Sequence, residues 1–321
     1  MIQWKQSAGG LGFIVGILLI DTLILVDPVQ TPAGMIWIPG GSFVMGSDQG
    51  LPDERPAHEV QLDGFWIDQY EVTNDDFEKF VAATGYETYS EQVNDSLVFE
   101  SPGESANSPA RPLSWWKLVA NANWQQPEGA DDSIDGKENH PVVQVTFEDA
   151  LAYWNWLRKE LPAEAQFEFA ARGGHEGELY SWGSQPRHKH ESIVNHWQGT
   201  FPYHDEATDG HDSTAPVGSF PPNDYELYDI TGNVWEWVSD WYHPNYYAQS
   251  PLRNPEGVPK AESLDPNEPS LAKRSIRGGS FLCSENYCRG FRVSARMPAE
   301  PFSSTNHTGF RCSTKRASLF R

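Results

Sequence analysis

The chain has 321 residues, 45 acidic against 23 basic, for a formal charge of −22. That balance excludes a protein built to grip phosphate backbones, which needs a basic footprint, so no nucleic-acid partner is expected. Thirteen Trp within a 38% hydrophobic composition support a sizeable core and exclude disorder, while 27 Gly and 24 Pro predict loops, turns and short strands rather than long helices.

Residues 11–26 (LGFIVGILLIDTLILV) are apolar apart from Asp21 and follow Lys5. A helix of that length spans ~24 Å against the ~30 Å of a hydrocarbon core. No clean small-residue cleavage site follows. Residues 1–33 read as a signal or a membrane anchor, with a soluble N-terminal strand or helix as the alternative, and export to the periplasm or a secretory lumen is slightly favoured over the cytoplasm. Residues 35–39 read as a strand, 40–42 as a turn and 43–47 as the second strand of a hairpin. A polar loop fills 48–57, and 60–67 alternates as one strand. Thr73 or Asn74 caps a helix running to Gly85, with Phe77, Phe80 and Val81 on one face. A second helix starts at Thr146, where Asp149 completes an approximate capping box and Ala150, Tyr153, Trp154 and Leu157 form the apolar stripe. Residues 86–140 and 243–272 read mostly as loop. No repeat or linker divides the rest, so a single domain is expected over 34–315, with a tail at 316–321.

Three constellations carry chemistry. Cys283 and Cys288 are five residues apart, on different faces of a helix or strand, so the chain must bend if both sulfurs are to meet one atom. A local disulfide, two unrelated core thiols and a soft Cu(I) ion all remain open for this pair. Asp229 and Glu236 flank Gly232, and Asn195-His196 precedes Asp209-Gly210-His211. Each set offers oxygens to a hard cation such as Ca²⁺, or is an ordinary turn. The third cysteine, Cys312, leaves an odd thiol. Nucleophile-elbow, phosphate-loop and H-E-x-x-H templates are missing.

In order, GGSFVMGS (40–47), DQYEVTNDDFEKFV (68–81), ANWQQPEG (122–129), HPVVQVTFEDALAYWNW (140–156) and LPAEAQFEFAARGG (161–174) resemble one family. So do TAPVGSFPPNDYELYDITGNVWEWVSDW (214–241), RGGSFLCSENYCRGFRVSAR (277–296) and HTGFRC (307–312). The family is that of the formylglycine-generating enzymes, and the resemblance covers about 34–315. It implies an α+β fold, the compact formylglycine-generating-enzyme variant of the C-type-lectin-like fold, with low regular secondary structure. It implies oxidation by O₂ of a cysteine in a Cys-x-Pro-x-Arg segment of an unfolded sulfatase polypeptide to Cα-formylglycine. The catalytic residues implied are Cys283 and Cys288, which hold Cu(I), and Ser280, which hydrogen-bonds near the reactive thiolate. Trp235, Tyr287 and Arg296 line the substrate pocket with His307, which replaces a vertebrate Asn. Two structural Ca²⁺ ions are implied, one on Asn195, the His196 carbonyl, Asp209 and the His211 carbonyl. The other is implied on Asp229, the Gly232 and Val234 carbonyls, and Glu236. The two structural disulfides of the vertebrate enzyme are absent. Ala171 and Val293 stand at two of their positions, and Cys312 is left without a partner, its expected counterpart being Ala171. The competing classes are a lectin-like binding module whose Cys283 and Cys288 form a disulfide, and an iron-dependent sulfoxide-forming relative. The latter needs a histidine-rich iron site that is not found.

Overall fold

From Met35 to Asp68 the chain runs out and back as one antiparallel ribbon. In this computed structural model, which describes residues 32–103, 111–185 and 192–315, β1 (Met35–Ile38) pairs with β4 (Phe65–Asp68), and β2 (Gly41–Met45) with β3 (His58–Leu62). Ile38 faces Phe65 and Gly41 faces Leu62, so a single register passes through both pairs. The expected hairpin turn at 40–42 is thus not a turn, and the polar loop at 48–57 reverses the chain. The expected single strand 60–67 is broken in two. Gly40 and Gly64 explain both differences. A Cβ on Gly40 would lie 2.4 Å from the Leu62 carbonyl oxygen, and one on Gly64 would lie 2.4 Å from the Trp37 ring. The ribbon kinks where two side-chain-free residues let its strands come close.

Both expected helices are present. Helix α1 (Asn74–Thr84) is capped by the Thr73 side chain and closed by Gly85 in the left-handed conformation. Helix α3 (Phe147–Leu157) begins with the Thr146–Asp149 capping box. The expected loop 86–140 also holds α2 (Tyr89–Val93), β5 (Asp95–Phe99) and β6 (Trp116–Ala120). Helix α4 (Glu164–Ala171) was not expected, because all of its residues except half-buried Gln166 are buried and no polar face marks its period.

Short β7 (Gly199–Thr200) and β8 (His204–Asp205) pair with each other. The sheet that frames the site has the order β11-β10-β9-β12, from β9 (Trp235–Trp241), β10 (Arg274–Arg277), β11 (Arg296–Ala299) and β12 (Thr308–Gly309). Strand β13 (Ser313–Lys315) joins β4. One apolar cluster lies between the ribbon and α4, and a second gathers α1, α3 and β9. The architecture is mixed α/β with short elements, as the composition predicts. The described residues lie within one compact unit, Thr31–Arg321. The expected signal or anchor segment and the C-terminal tail fall outside the described residues, apart from residues 32 and 33. Among the described residues no helix is long and apolar enough to cross a membrane.

Candidate active site and cation positions

The two cysteines meet because a tight turn intervenes. The Ser284 N–H donates to the Tyr287 carbonyl at 2.9 Å and the reverse bond closes at 3.2 Å. Cys288 and Arg289 then take φ of 66° and 47°, and the Cα atoms of Cys283 and Cys288 stand 5.2 Å apart, joined as a disulfide. Cys283 is fully buried; Cys288 is half-buried. The backbone behind Cys283 is as close as it can be. A Cβ on Gly279 would lie 2.4 Å from the Gly290 carbonyl carbon, and one on Gly290 would lie 2.8 Å from the Cys283 sulfur and 2.6 Å from the Trp235 ring. The Ser280 N–H points at the Cys283 Sγ at 3.4 Å and its hydroxyl lies 4.0 Å away.

Cys288, Trp235 and Arg296 share the wall of a cavity of about 410 Å³ with Asp53, Tyr242 and Asp265. Trp235 is buried, and its backbone N–H donates to the His307 carbonyl at 2.9 Å. The Arg296 guanidinium is spent inside the protein. Its Nε and Nη2 donate to Glu164 at 2.6 and 2.7 Å, and it faces the Tyr242 and Tyr247 rings. Arg296 therefore shapes the wall rather than offering a free charge. Tyr287 stacks on Phe201, centroids 4.1 Å apart, and meets Trp115 edge-on at 5.5 Å. Its phenol is pushed up by burial. The His307 ring packs edge-on against Trp116, and burial lowers its pKa to about 3, so it is a neutral imidazole whose Nδ1 has no hydrogen-bond partner. His307 and Tyr287 thus border an aromatic patch beside the sulfur pair.

Charged residues that the sequence reading passed over pin both flanks of this turn. Upstream, buried Arg277 reaches Glu164 at 3.3 Å and also bonds Glu168, both on α4. Downstream, buried Arg292 grips both oxygens of buried Glu54, with Nη1 at 2.7 Å, and the Ser294 hydroxyl adds a third bond. Burial alone would raise the Glu54 and Glu164 carboxyls, but their arginine partners outweigh it and hold both below the usual carboxylate range. The signal available in the sequence was the four arginines of 277–296, though not their partners.

In each expected calcium set, the acidic residues lie close to other members of that set. In the first, the Asp209 carboxylate accepts the His211 N–H at 3.0 Å and the His196 N–H at 3.4 Å, and burial raises its pKa. Asn195 is 1% exposed, yet its Oδ1 has no hydrogen-bond partner. A buried acceptor left this way costs about 1–3 kcal/mol unless something donates to it or coordinates it, which fits a cation. In the second, burial pushes Asp229 up to about 6, while Arg311 takes both oxygens of Glu236 at 2.8 to 3.0 Å. Buried Glu71, not foreseen from the sequence, feels both carboxylates and is pushed well up, mainly by burial. Glu71, Asp229 and Glu236 face one guanidinium; burial without a cation favours their protonated forms, and when all three are ionised they carry two negative charges in excess, which a divalent ion would balance.

Among the described residues no group of three or more His, Cys, Asp or Glu side chains is arranged to hold a metal. The calcium sets would thus depend on amide and carbonyl oxygens, and a metal at the cysteines on two sulfurs. That donor set fits soft Cu(I) once the disulfide is reduced, and does not fit four-coordinate zinc.

Elsewhere, Asn306, which opens the N-x-[ST] run Asn306-His307-Thr308, is buried and donates to Glu128. Cys312 is buried in the second apolar cluster, whereas Ala171 and Val293 lie in the first. The expected pairing of the Cys312 position with Ala171 is therefore corrected, because the two side chains belong to different cores.

A mixed α/β unit with little regular structure, carrying a cysteine turn braced by buried ion pairs, has known relatives. The family model of the sulfatase-modifying factor enzyme 1-like domain matches residues 21–316. The chain belongs to the sulfatase-modifying factor family. It is 45% identical to the formylglycine-generating enzyme of Thermomonospora curvata over 89% of this chain and 95% of that protein. It is also 40% identical to the inactive C-alpha-formylglycine-generating enzyme 2 of Mus musculus, over 97% of this chain and 96% of that one. Among solved structures it is similar to PvdO from Pseudomonas aeruginosa, with a TM-score of 0.62, 27% identity, and coverage of 87% and 93%.

Proposed function

We propose that the protein is a sulfatase-activating oxidase. It converts a cysteine in a Cys-x-Pro-x-Arg segment of an unfolded sulfatase to Cα-formylglycine, with O₂ as the electron acceptor. The observation that carries this reading is the convergence of Cys283 and Cys288, one sulfur buried and the other at the wall of a cavity. Relatives at 45 and 44% identity that bear the name formylglycine-generating enzyme support it. In the net reaction the substrate Cβ loses its sulfur as sulfide and gains a carbonyl oxygen from water, while two electrons pass to O₂.

The chain's own residues supply binding, shielding and placement. Reduced, the pair would be two thiolates able to hold Cu(I), which would supply thiolate affinity and reactivity toward O₂. The Ser280 N–H, aimed at the Cys283 sulfur, stabilises negative charge there. Trp235 and the aromatic patch around Tyr287 keep water from the sulfurs, and neutral His307 adds no competing charge. Calcium at the two oxygen sets stabilises the fold without entering the chemistry.

The test is to reduce the protein, load it with Cu(I), and incubate it in air with a peptide containing Cys-Thr-Pro-Ser-Arg, following thiol-to-aldehyde conversion by mass spectrometry. A second reading, a non-catalytic binding member, is favoured by the closed disulfide and by the similarity to a relative named as inactive. Absence of aldehyde after verified copper loading would decide for it.

A further inference from the structure

We propose that Asn233 couples the two calcium positions, so that an ion at either one raises affinity at the other. The inference rests on the two-calcium reading and adds to it a route between the sites.

Asn233 lies between Gly232 and Val234, whose carbonyls belong to the second set. It is 1% exposed and has φ of 56°, a left-handed backbone that Asn tolerates. Its Oδ1 accepts the Asn195 Nδ2 at 3.1 Å and the Ala215 N–H at 2.8 Å. Its Nδ2 donates to Glu71 Oε2 at 2.6 Å, and its backbone N–H donates to the Asn195 carbonyl at 3.0 Å. One buried amide therefore holds a residue of the first set and the loop of the second.

Each end of the link sets the aim of a calcium donor. A side-chain amide is planar, so fixing the Asn195 Nδ2 against Asn233 and the Ser213 carbonyl also fixes where its orphaned Oδ1 points. At the other end, Glu71 Oε1 accepts the Val234 N–H at 3.3 Å while Oε2 holds Asn233. That clamp fixes the Asn233–Val234 peptide unit, while the Asn233 N–H, bonded to the Asn195 carbonyl, shares a planar peptide unit with the Gly232 carbonyl and so sets the aim of that donor. Contact between the segments is tight besides: a Cβ on Gly232 would lie 2.6 Å from the Asn195 carbonyl oxygen. An ion that orders Asn195 thereby orders Asn233 and the 232–234 loop, and the second ion meets donors already in place. Couplings of this kind change affinity by roughly 5–150-fold, and a short chain of hydrogen bonds belongs near the lower end, about tenfold.

The experiment is calorimetric titration of the full, chelator-stripped chain with Ca²⁺, for wild type, Asn233→Ala and Asp209→Asn. The expected wild-type result is two ions bound with positive cooperativity of about tenfold. Asn233→Ala should bind two ions with independent constants. Asp209→Asn should bind one ion about tenfold more weakly than the wild-type second set does when both are filled. If Asn233→Ala fails to fold, Asn233→Gly, which removes the same amide and suits the left-handed backbone there, takes its place. Two ions bound independently in wild type, or cooperativity retained in Asn233→Ala, overturns the coupling and leaves two-calcium binding standing. No calcium bound by wild type overturns both.

Discussion

Replacing Glu54 by Gln tests whether the buried ion pairs hold the cysteine turn. Glu54 is fully buried and Arg292 is 4% exposed. Glutamine keeps the shape but removes the charge and turns one acceptor into an NH₂ group facing donors. Three groups donate to the carboxylate, two guanidinium nitrogens and the Ser294 hydroxyl, so at least one is left unanswered. Breaking a buried pair on one side costs about 3–5 kcal/mol. At ~2–4 °C per kcal/mol for a large domain, the melting temperature should fall by about 10 °C at pH 7. The double variant Glu54→Leu, Arg292→Met should recover most of that loss, because an apolar pair needs no charge compensation. The Glu54 carboxyl is held below its unfolded value of about 4.3. Its contribution is therefore full above that value and is lost as pH falls toward and through the folded pKa, so the gap between wild type and variant should begin to narrow below about pH 4. Thermal melts followed by circular dichroism at pH 7 and pH 3.5 measure both effects. A Glu54→Gln protein melting within ~2 °C of wild type at pH 7 would refute the bracing role.

Gly290→Ala should cost about 1–3 kcal/mol in urea unfolding and lower turnover further, since the added methyl would meet both the Trp235 ring and the Cys283 sulfur. Cys283→Ser and Cys288→Ser should each remove nearly all copper binding and peptide oxidation without additive losses, whereas Cys312→Ser should leave both close to wild type. Near-normal turnover in either of the first two would sink the copper chemistry. Saturating calcium should raise the melting temperature of stripped protein by mass action, and Asp209→Asn should shrink that gain; an equal gain in the variant would remove the first set.

Local chemistry made much of this legible in the sequence. Helices α1 and α3 are marked by caps and apolar stripes that act within one turn, so Thr73, Gly85 and the Thr146–Asp149 pair announce them. The cysteine pair and the oxygen-rich runs were visible as residue types at set spacings, and the resemblance assigned them roles. What the sequence could not show was decided by contacts across long separations. The kink at Gly40 and Gly64 exists only because the ribbon brings those residues together. Helix α4 has no exposed polar face to mark its period, since all but half-buried Gln166 are buried, and its Glu164 is answered by Arg277 and Arg296 from more than a hundred residues away. Glu71 and Asn233 became part of the calcium region in the same way, 162 residues apart in the chain and 2.6 Å apart in the fold. Caps, turns and amphipathic stripes are local, so one segment determines them by itself. Buried charges and close glycine approaches are pairwise, and only the packed chain supplies the partner.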